Sequence, residues 1–189
     1  MNRTMEKLRL FIAVPVAPEI KERLSSSIRP FQQSGMFRRW THPEDYHITL
    51  KFLGDTEAGD ADKITDLLSQ SLNNSSPLTL SLQGFGIFGA PKAPSVLWAG
   101  VGGDTEQLIP LNEAVETAMM ELGWPREARN YHPHLTLARQ YSGSLPFSPS
   151  ALPAALEEEL SWTADRIIVY RSHLKRKPMY EPYISIPLH

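Results

Sequence analysis

One tetrapeptide pattern occurs twice, and it constrains the fold more than any other feature of the chain. His47-Ile48-Thr49-Leu50 and His134-Leu135-Thr136-Leu137 both read His-x-Thr-Leu, 87 residues apart in a chain of 189. In an extended strand, residues i and i+2 point the same way. Strict alternation therefore puts His47, Thr49 and Lys51 on one face of the first copy, and Tyr46, Ile48, Leu50 and Phe52 on the other. The second copy puts His134 and Thr136 on one face and its leucines on the other. Two equivalent strands, half a chain apart, predict two related lobes.

The remaining pattern supplies partners for these strands. Leu8 to Val14 reads as a buried strand stopped by Pro15. Pro18 then opens a helix that runs to about Ile28, with Pro30 ending it. Trp40 and Thr41 form a short strand. Asp60 to Leu72 is helical, with Ile64, Leu67, Leu68 and Leu72 on one stripe. Leu78 to Leu82 and Val96 to Val101 are strands. Thr105 to Leu122 is the longest helix, with Pro110 near its start and Gly123 suited to its C-terminal cap. Pro153 to Leu160 reads as a helical turn, and Arg166 to Tyr170 and Tyr183 to Ile186 as late strands. Strands that follow one another directly favour an α+β fold, antiparallel-rich and bilobal, over a doubly wound parallel sheet. Residues 1–189 read as a single domain made of two interleaved lobes.

Composition closes off several function classes. Hydrophobic residues make up 41% and charged residues 21%, so the chain buries a core and is not disordered. There is no cysteine, which removes disulfides, thiolate metal sites and cysteine nucleophiles and fits a cytoplasmic protein. The segment from Met1 to Arg9 is polar, unlike a signal peptide, and no apolar run is long enough to span a membrane. The net charge of −2 argues against a sheath around long nucleic acid but allows a short anionic ligand. Charge is unevenly placed: residues 1–51 hold 9 basic and 5 acidic groups, residues 52–121 hold 2 and 10, and residues 122–189 hold 8 and 6. Gly84-Phe85-Gly86 has no lysine partner and is no phosphate loop.

Each copy of the pattern presents an imidazole and a hydroxyl side by side on a rigid support. Two such strands facing each other offer one proton donor and one proton acceptor on opposite sides of a reacting centre. The hydroxyls suit non-bridging phosphate oxygens. This constellation fits phosphodiester cleavage without a metal or other cofactor.

The motifs resemble those of the two-histidine (2H) phosphoesterase superfamily, and within it the RNA 2′,3′-cyclic phosphodiesterases, also called 2′-5′ RNA ligase-like proteins. The resemblance runs through Arg9 to Ala13, Trp40, His47 to Gly54, Val96 to Gly100 and Pro133 to Arg139. Tyr46 departs from it, standing where an aliphatic residue is usual, and His132 stands two residues before the second histidine, where the family shows no particular residue. The resemblance implies a bilobal fold with pseudo-symmetric sheets, flanking helices and a central cleft. It implies His47 as proton donor to the leaving 3′ oxygen and His134 as the base that activates water. Thr49 and Thr136 would bind phosphate. The implied substrate is an RNA 3′ end or short oligonucleotide bearing a 2′,3′-cyclic phosphate, the implied product a 2′-phosphate, and the reverse 2′-5′ ligation is possible in the family. No obligatory protein partner is implied. Two other readings use the same pocket: a phosphodiesterase for small nucleotides such as ADP-ribose cyclic phosphate, and a nucleotide-binding module without turnover.

Four neighbours complete the candidate site. Arg139 suits phosphate charge, yet alternation places it opposite His134 unless a bulge intervenes. Phe11 either stacks on a base or fills core, and Tyr180 and Trp98 pose the same choice. His132, His134 and His47 would together make a three-histidine metal site, but no carboxylate accompanies the first motif, so no metal is expected. Lys175-Arg176-Lys177, with Arg171, is either a solvated loop or a grip on an RNA strand.

Overall fold

Proline-bounded aliphatic runs become strands, and the longer amphipathic stretches become helices on one side of them. The computed structural model describes residues 6–152, 156 and 160–189. Along the chain these form β1 (Lys7–Pro15), α1 (Pro18–Gln33), β2 (Phe37–Trp40), β3 (His47–Glu57), α2 (Ala61–Ser71), β4 (Leu78–Ala90), β5 (Ala93–Gly103), α3 (Thr105–Glu121), β6 (His134–Tyr141), β7 (Leu160–Ala164), β8 (Arg166–Ser172) and β9 (Tyr180–Pro187). Most of the stretch expected as a helical turn near Pro153 lies outside the described residues.

Every recorded strand pairing is antiparallel. The sheet order is β7-β4-β5-β6-β3-β1-β8-β9, with β2 also on β6. It divides at one place. β3 and β6, the two motif strands, meet through a single residue pair, Ile48 with Leu135. On one side stand β3-β1-β8-β9, and on the other β6-β5-β4-β7, so each motif strand heads a four-stranded half. This is the α+β, bilobal and pseudo-symmetric arrangement that the repeat predicts.

The helices cross between the halves. α1 follows β1 yet packs near β7, and α3 follows β5 yet packs against β3 and α2. The Trp162 indole donates to the Pro15 carbonyl at 3.1 Å, tying β7 to the end of β1. Ile20, Leu24 and Ile28 of α1, Ile64 and Leu68 of α2, and Leu108, Val115 and Met119 of α3 are all buried in one core. Full burial of a side chain of this size stabilises by about 1.5–3 kcal/mol.

Several elements differ from the sequence pattern, and β4 and β5 run on as one long hairpin over Leu78–Ala90 and Ala93–Gly103. Pro30 does not end α1, which continues to Gln33. The bond that proline forgoes would reach the carbonyl of Ser26, an exposed residue that water serves. Phe31 beyond it packs on the core and rewards the extra turn. α3 begins at Thr105, as the pattern predicts, with Pro110 inside its first turns. β7 is a strand that the sequence pattern does not predict, in which Leu160, Trp162 and Ala164 alternate as buried residues.

The alternation in the motif strands also breaks, in the same way twice. Against β1, Ile12 pairs with Lys51 but Ala13 with Thr49, so Leu50 is an extra residue, a β-bulge. Against β5, Leu97 pairs with Ala138 but Trp98 with Thr136, so Leu137 is extra. In both copies the bulge is the leucine of His-x-Thr-Leu. Asn112, buried on α3, donates to the Leu50 carbonyl at 2.8 Å. A second bulge follows at Leu53, whose carbonyl accepts from the Trp124 indole at 3.0 Å. Side chains thus satisfy carbonyls where the ladder is disturbed.

Candidate active site

The bulges decide which side chains reach the cleft. Beyond Leu50, Lys51 turns into the core and Phe52 turns out, 66% exposed. Lys51 therefore does not share a face with His47 and Thr49, as strict alternation had it. Its ammonium, 5% exposed as a residue, meets Glu116 of α3 at 2.7 Å and the Pro125 carbonyl at 2.8 Å. Beyond Leu137, Ala138 is buried and Arg139 is exposed. The bulge so returns Arg139 to the face of His134 and Thr136, correcting the alternation that put it opposite. Phe52 and Arg139 are equivalent positions in the two halves.

The two histidines are held alike. His47 Nδ1 donates to the carbonyl of Asp45 at 2.7 Å, and His134 Nδ1 to that of His132 at 2.7 Å. A carbonyl only accepts, so each Nδ1 carries the proton and each neutral ring presents an Nε2 lone pair. In both cases the clamp is the residue two before the histidine, in a short 3-10 turn (Pro43–Asp45) in the first copy and next to Pro133 in the second. Thr49 Oγ1 lies 3.0 Å from His47 Nε2 and donates to it. The Ile48–Leu135 junction is antiparallel. Counting outward from it, His47 is level with Thr136 and Thr49 with His134, which gathers the four residues about one point.

Aromatic rings wall each half. Phe11 lies 4.8 Å and Tyr180 5.2 Å from the His47 ring, with Tyr170 at 6.1 Å. Phe11 is buried, but in a small cluster with Ala13 and Tyr170 apart from the main core. Phe52 lies 5.9 Å from Phe11. On the other side Phe88 lies 4.9 Å and Trp98 6.2 Å from the His134 ring, and His132 is 5.0 Å from Trp98. Phe11, Tyr180 and Trp98 thus all pack around the two histidine rings. His132 lies near His134, but among the described residues no three His, Asp or Glu side chains form a group able to hold a metal.

Sequence reasoning missed Asp45 and Phe88. Asp45 is 4% exposed, and its carboxylate accepts backbone N–H groups of Met179 and Tyr180 at 2.9 and 3.0 Å. It fixes the start of β9, and so Tyr180, against the turn that clamps His47. Its position two residues before the histidine is the one signal that marked it.

Electrostatics favour neutral rings in the free protein. Burial pushes the His47 imidazole down to about 4, with smaller lowering from His134 and Arg139 opposing the Asp45 contribution. Burial also lowers His134, with His132 and Arg139 adding to it. Arg139 acts on both histidines and on the Tyr180 phenol, so its charge reaches across the cleft.

Comparison with known proteins fits this geometry. A relative from Geobacillus stearothermophilus named RNA 2′,3′-cyclic phosphodiesterase is 35% identical over 97% of this chain, which spans 58% of that protein's length. A Bacillus subtilis relative of the same name is 31% identical over 94% of this chain and 95% of its own. The fold matches that of E. coli LigT complexed with 3′-AMP, with a TM-score of 0.80 at 23% identity, over 97% of this chain and 99% of that one. The family model of the 2′-5′ RNA ligase superfamily matches residues 16–176, a span that holds both His-x-Thr-Leu strands and their bulges. The chain belongs to the 2′-5′ RNA ligase superfamily.

Proposed function

We propose that this chain hydrolyses 2′,3′-cyclic phosphate ends of RNA or oligonucleotides to 2′-phosphates, with a cytoplasmic location. In-line displacement at phosphorus needs a base where water enters and an acid where the 3′ oxygen leaves. His134 takes the proton from water. His47, as imidazolium, gives its Nε2 proton to the 3′ oxygen as the P–O3′ bond breaks. Thr49, Thr136 and Arg139 hold the non-bridging oxygens and the charge that develops on them.

The observation that carries this reading is the matched pair of imidazoles, each clamped at Nδ1 by a backbone carbonyl and each beside a threonine. The fixed Nδ1 proton leaves Nε2 as the working nitrogen on both rings. Burial keeps His47 neutral before substrate arrives, and the phosphate anion supplies the charge that favours imidazolium. Once Nε2 holds its own proton, the Thr49 hydroxyl is free to turn to a phosphate oxygen. With a 5′ hydroxyl in place of water, the same roles form a 2′-5′ linkage.

The test offers chelator-treated protein a 2′,3′-cyclic nucleotide. H47A and H134A should each lose about 10²–10⁴-fold in turnover, and the product should be the 2′-phosphate. Activity retained in either variant, or a 3′-phosphate product, overturns the assignment.

A further inference from the structure

We propose that the hairpin loop of residues 173–179, between β8 and β9, is a grip for single-stranded RNA upstream of the cyclic end. The inference rests on the reading above, and specifically on His47 as the acid. In-line attack puts the leaving 3′ oxygen opposite the water. That oxygen belongs to the terminal ribose, and the rest of the RNA hangs from the same ribose through its 5′ carbon. The polynucleotide therefore lies on the side of the acid. His47 heads the half made of β3, β1, β8 and β9, and the loop closes the outer hairpin of that half.

The loop is built onto the site. Asp45 holds the N–H groups of Met179 and Tyr180, and Tyr180 is 5.2 Å from His47. His173 N–H donates to the Met179 carbonyl at 2.7 Å, and the His173 ring pairs with Glu181 at 2.5 Å, closing the neck. Above this neck Lys175, Arg176 and Lys177 are exposed. Lys177 is three residues from Tyr180, so their Cα atoms lie within about 11 Å. Arg171 is not available, because it pairs with Glu6 at 2.9 Å. Arg9 and Arg139 both act on the Tyr180 phenol, which extends the basic track from the cleft across β1. Exposed Phe52 and part-exposed Tyr180, both packed on buried Phe11, offer aromatic faces beside His47. Alternating cations and aromatic faces bind single strands without reading sequence.

The test compares wild type with K175Q/R176Q/K177Q on two substrates, a cyclic mononucleotide and a single-stranded oligonucleotide with a cyclic end. On the oligonucleotide the variant should lose tenfold or more in kcat/KM at low salt, through KM. Its salt dependence should be shallower by a log–log slope of roughly 2, at about 0.7 per phosphate contact. Mononucleotide turnover should stay within twofold. Anisotropy titration with the 2′-phosphate-ended RNA reads the grip without turnover, and K177E alone provides a lesser perturbation should the triple variant not fold. Equal losses on both substrates, or unchanged oligonucleotide binding, overturn the grip. Wild type inactive on both substrates would instead sink the underlying reading, while the binding titration still decides the grip.

Discussion

Replacing Lys51 by methionine should be far more damaging to the fold than to the chemistry. Lys51 and Glu116 are each 5% exposed and 2.7 Å apart. The ammonium also donates to the Pro125 carbonyl, and Glu116 also accepts from the Glu127 N–H at 3.2 Å. The K51M variant leaves a buried carboxylate with one donor in place of two, and orphans a carbonyl. Breaking a buried pair from one side costs about 3–5 kcal/mol. Against a total stability of about 5–15 kcal/mol this is a large fraction, and for a chain of this size Tm should fall on the order of 10 °C. Urea unfolding followed by tryptophan fluorescence measures the loss. The second variant K51M/E116L removes both charges and should recover most of the stability, because a well-packed apolar pair replaces the ion pair at little cost. The Lys51 side chain points away from the cleft, so kcat of the folded fraction should stay within a few-fold. A loss below 1 kcal/mol, or a double variant no more stable than the single one, would refute the reasoning.

Four further outcomes are expected. The free-enzyme kcat/KM should peak below pH 6.5: deprotonation of the base gives the rising limb, loss of the proton from the acid gives the falling one, and burial lowers both histidines, His47 to about 4. A peak above pH 7 contradicts this, and stability should also fall as pH drops from 6.5 towards 4, since unfolding lets His47 take a proton. The G86A variant should displace Trp98, because a Cβ at Gly86 would overlap the indole; unchanged tryptophan fluorescence and unchanged KM would count against the Trp98 wall. The N112L variant orphans the Leu50 carbonyl at the first bulge, and should cost about 1–3 kcal/mol with a fall in kcat as His47 and Thr49 lose their fixed register; denaturation and kinetics on the same sample separate the two effects.

The pairing of the two motif strands, and the histidines and threonines on them, were legible because periodicity in a strand is simple geometry. What lay beyond the leucine of each motif was not. A bulge inserts one residue and inverts everything after it, and its stabilising partners come from elsewhere in the chain. Asn112 is 62 positions from Leu50, and nothing local announces that an amide on α3 will serve that carbonyl. Lys51, read as polar and outward, is buried because Glu116 waits on the same helix. Asp45 was marked only by its place two residues before His47, since its partners are backbone N–H groups of Met179 and Tyr180, which no side-chain pattern reveals. Phe11 escaped a decision because its ring is covered by other aromatics and still packs on His47.

The matching bulges have a consequence for direction. A cyclic phosphate reaction is not symmetric, since one oxygen arrives and another departs, whereas the two halves of the sheet repeat each other down to the extra leucine. A scaffold of two equal halves would treat either face of the phosphorus alike. The first residue that each bulge returns to the cleft breaks this tie, with a phenyl ring at Phe52 and a guanidinium at Arg139. One half offers a flat apolar surface and the other a positive charge, and on the proposed reading a substrate with a base at one end and an anion at the other should lie one way. On the proposed reading, exchanging just these two side chains (F52R/R139F) should move the product towards the 3′-phosphate, and a product that stays the 2′-phosphate would refute the idea.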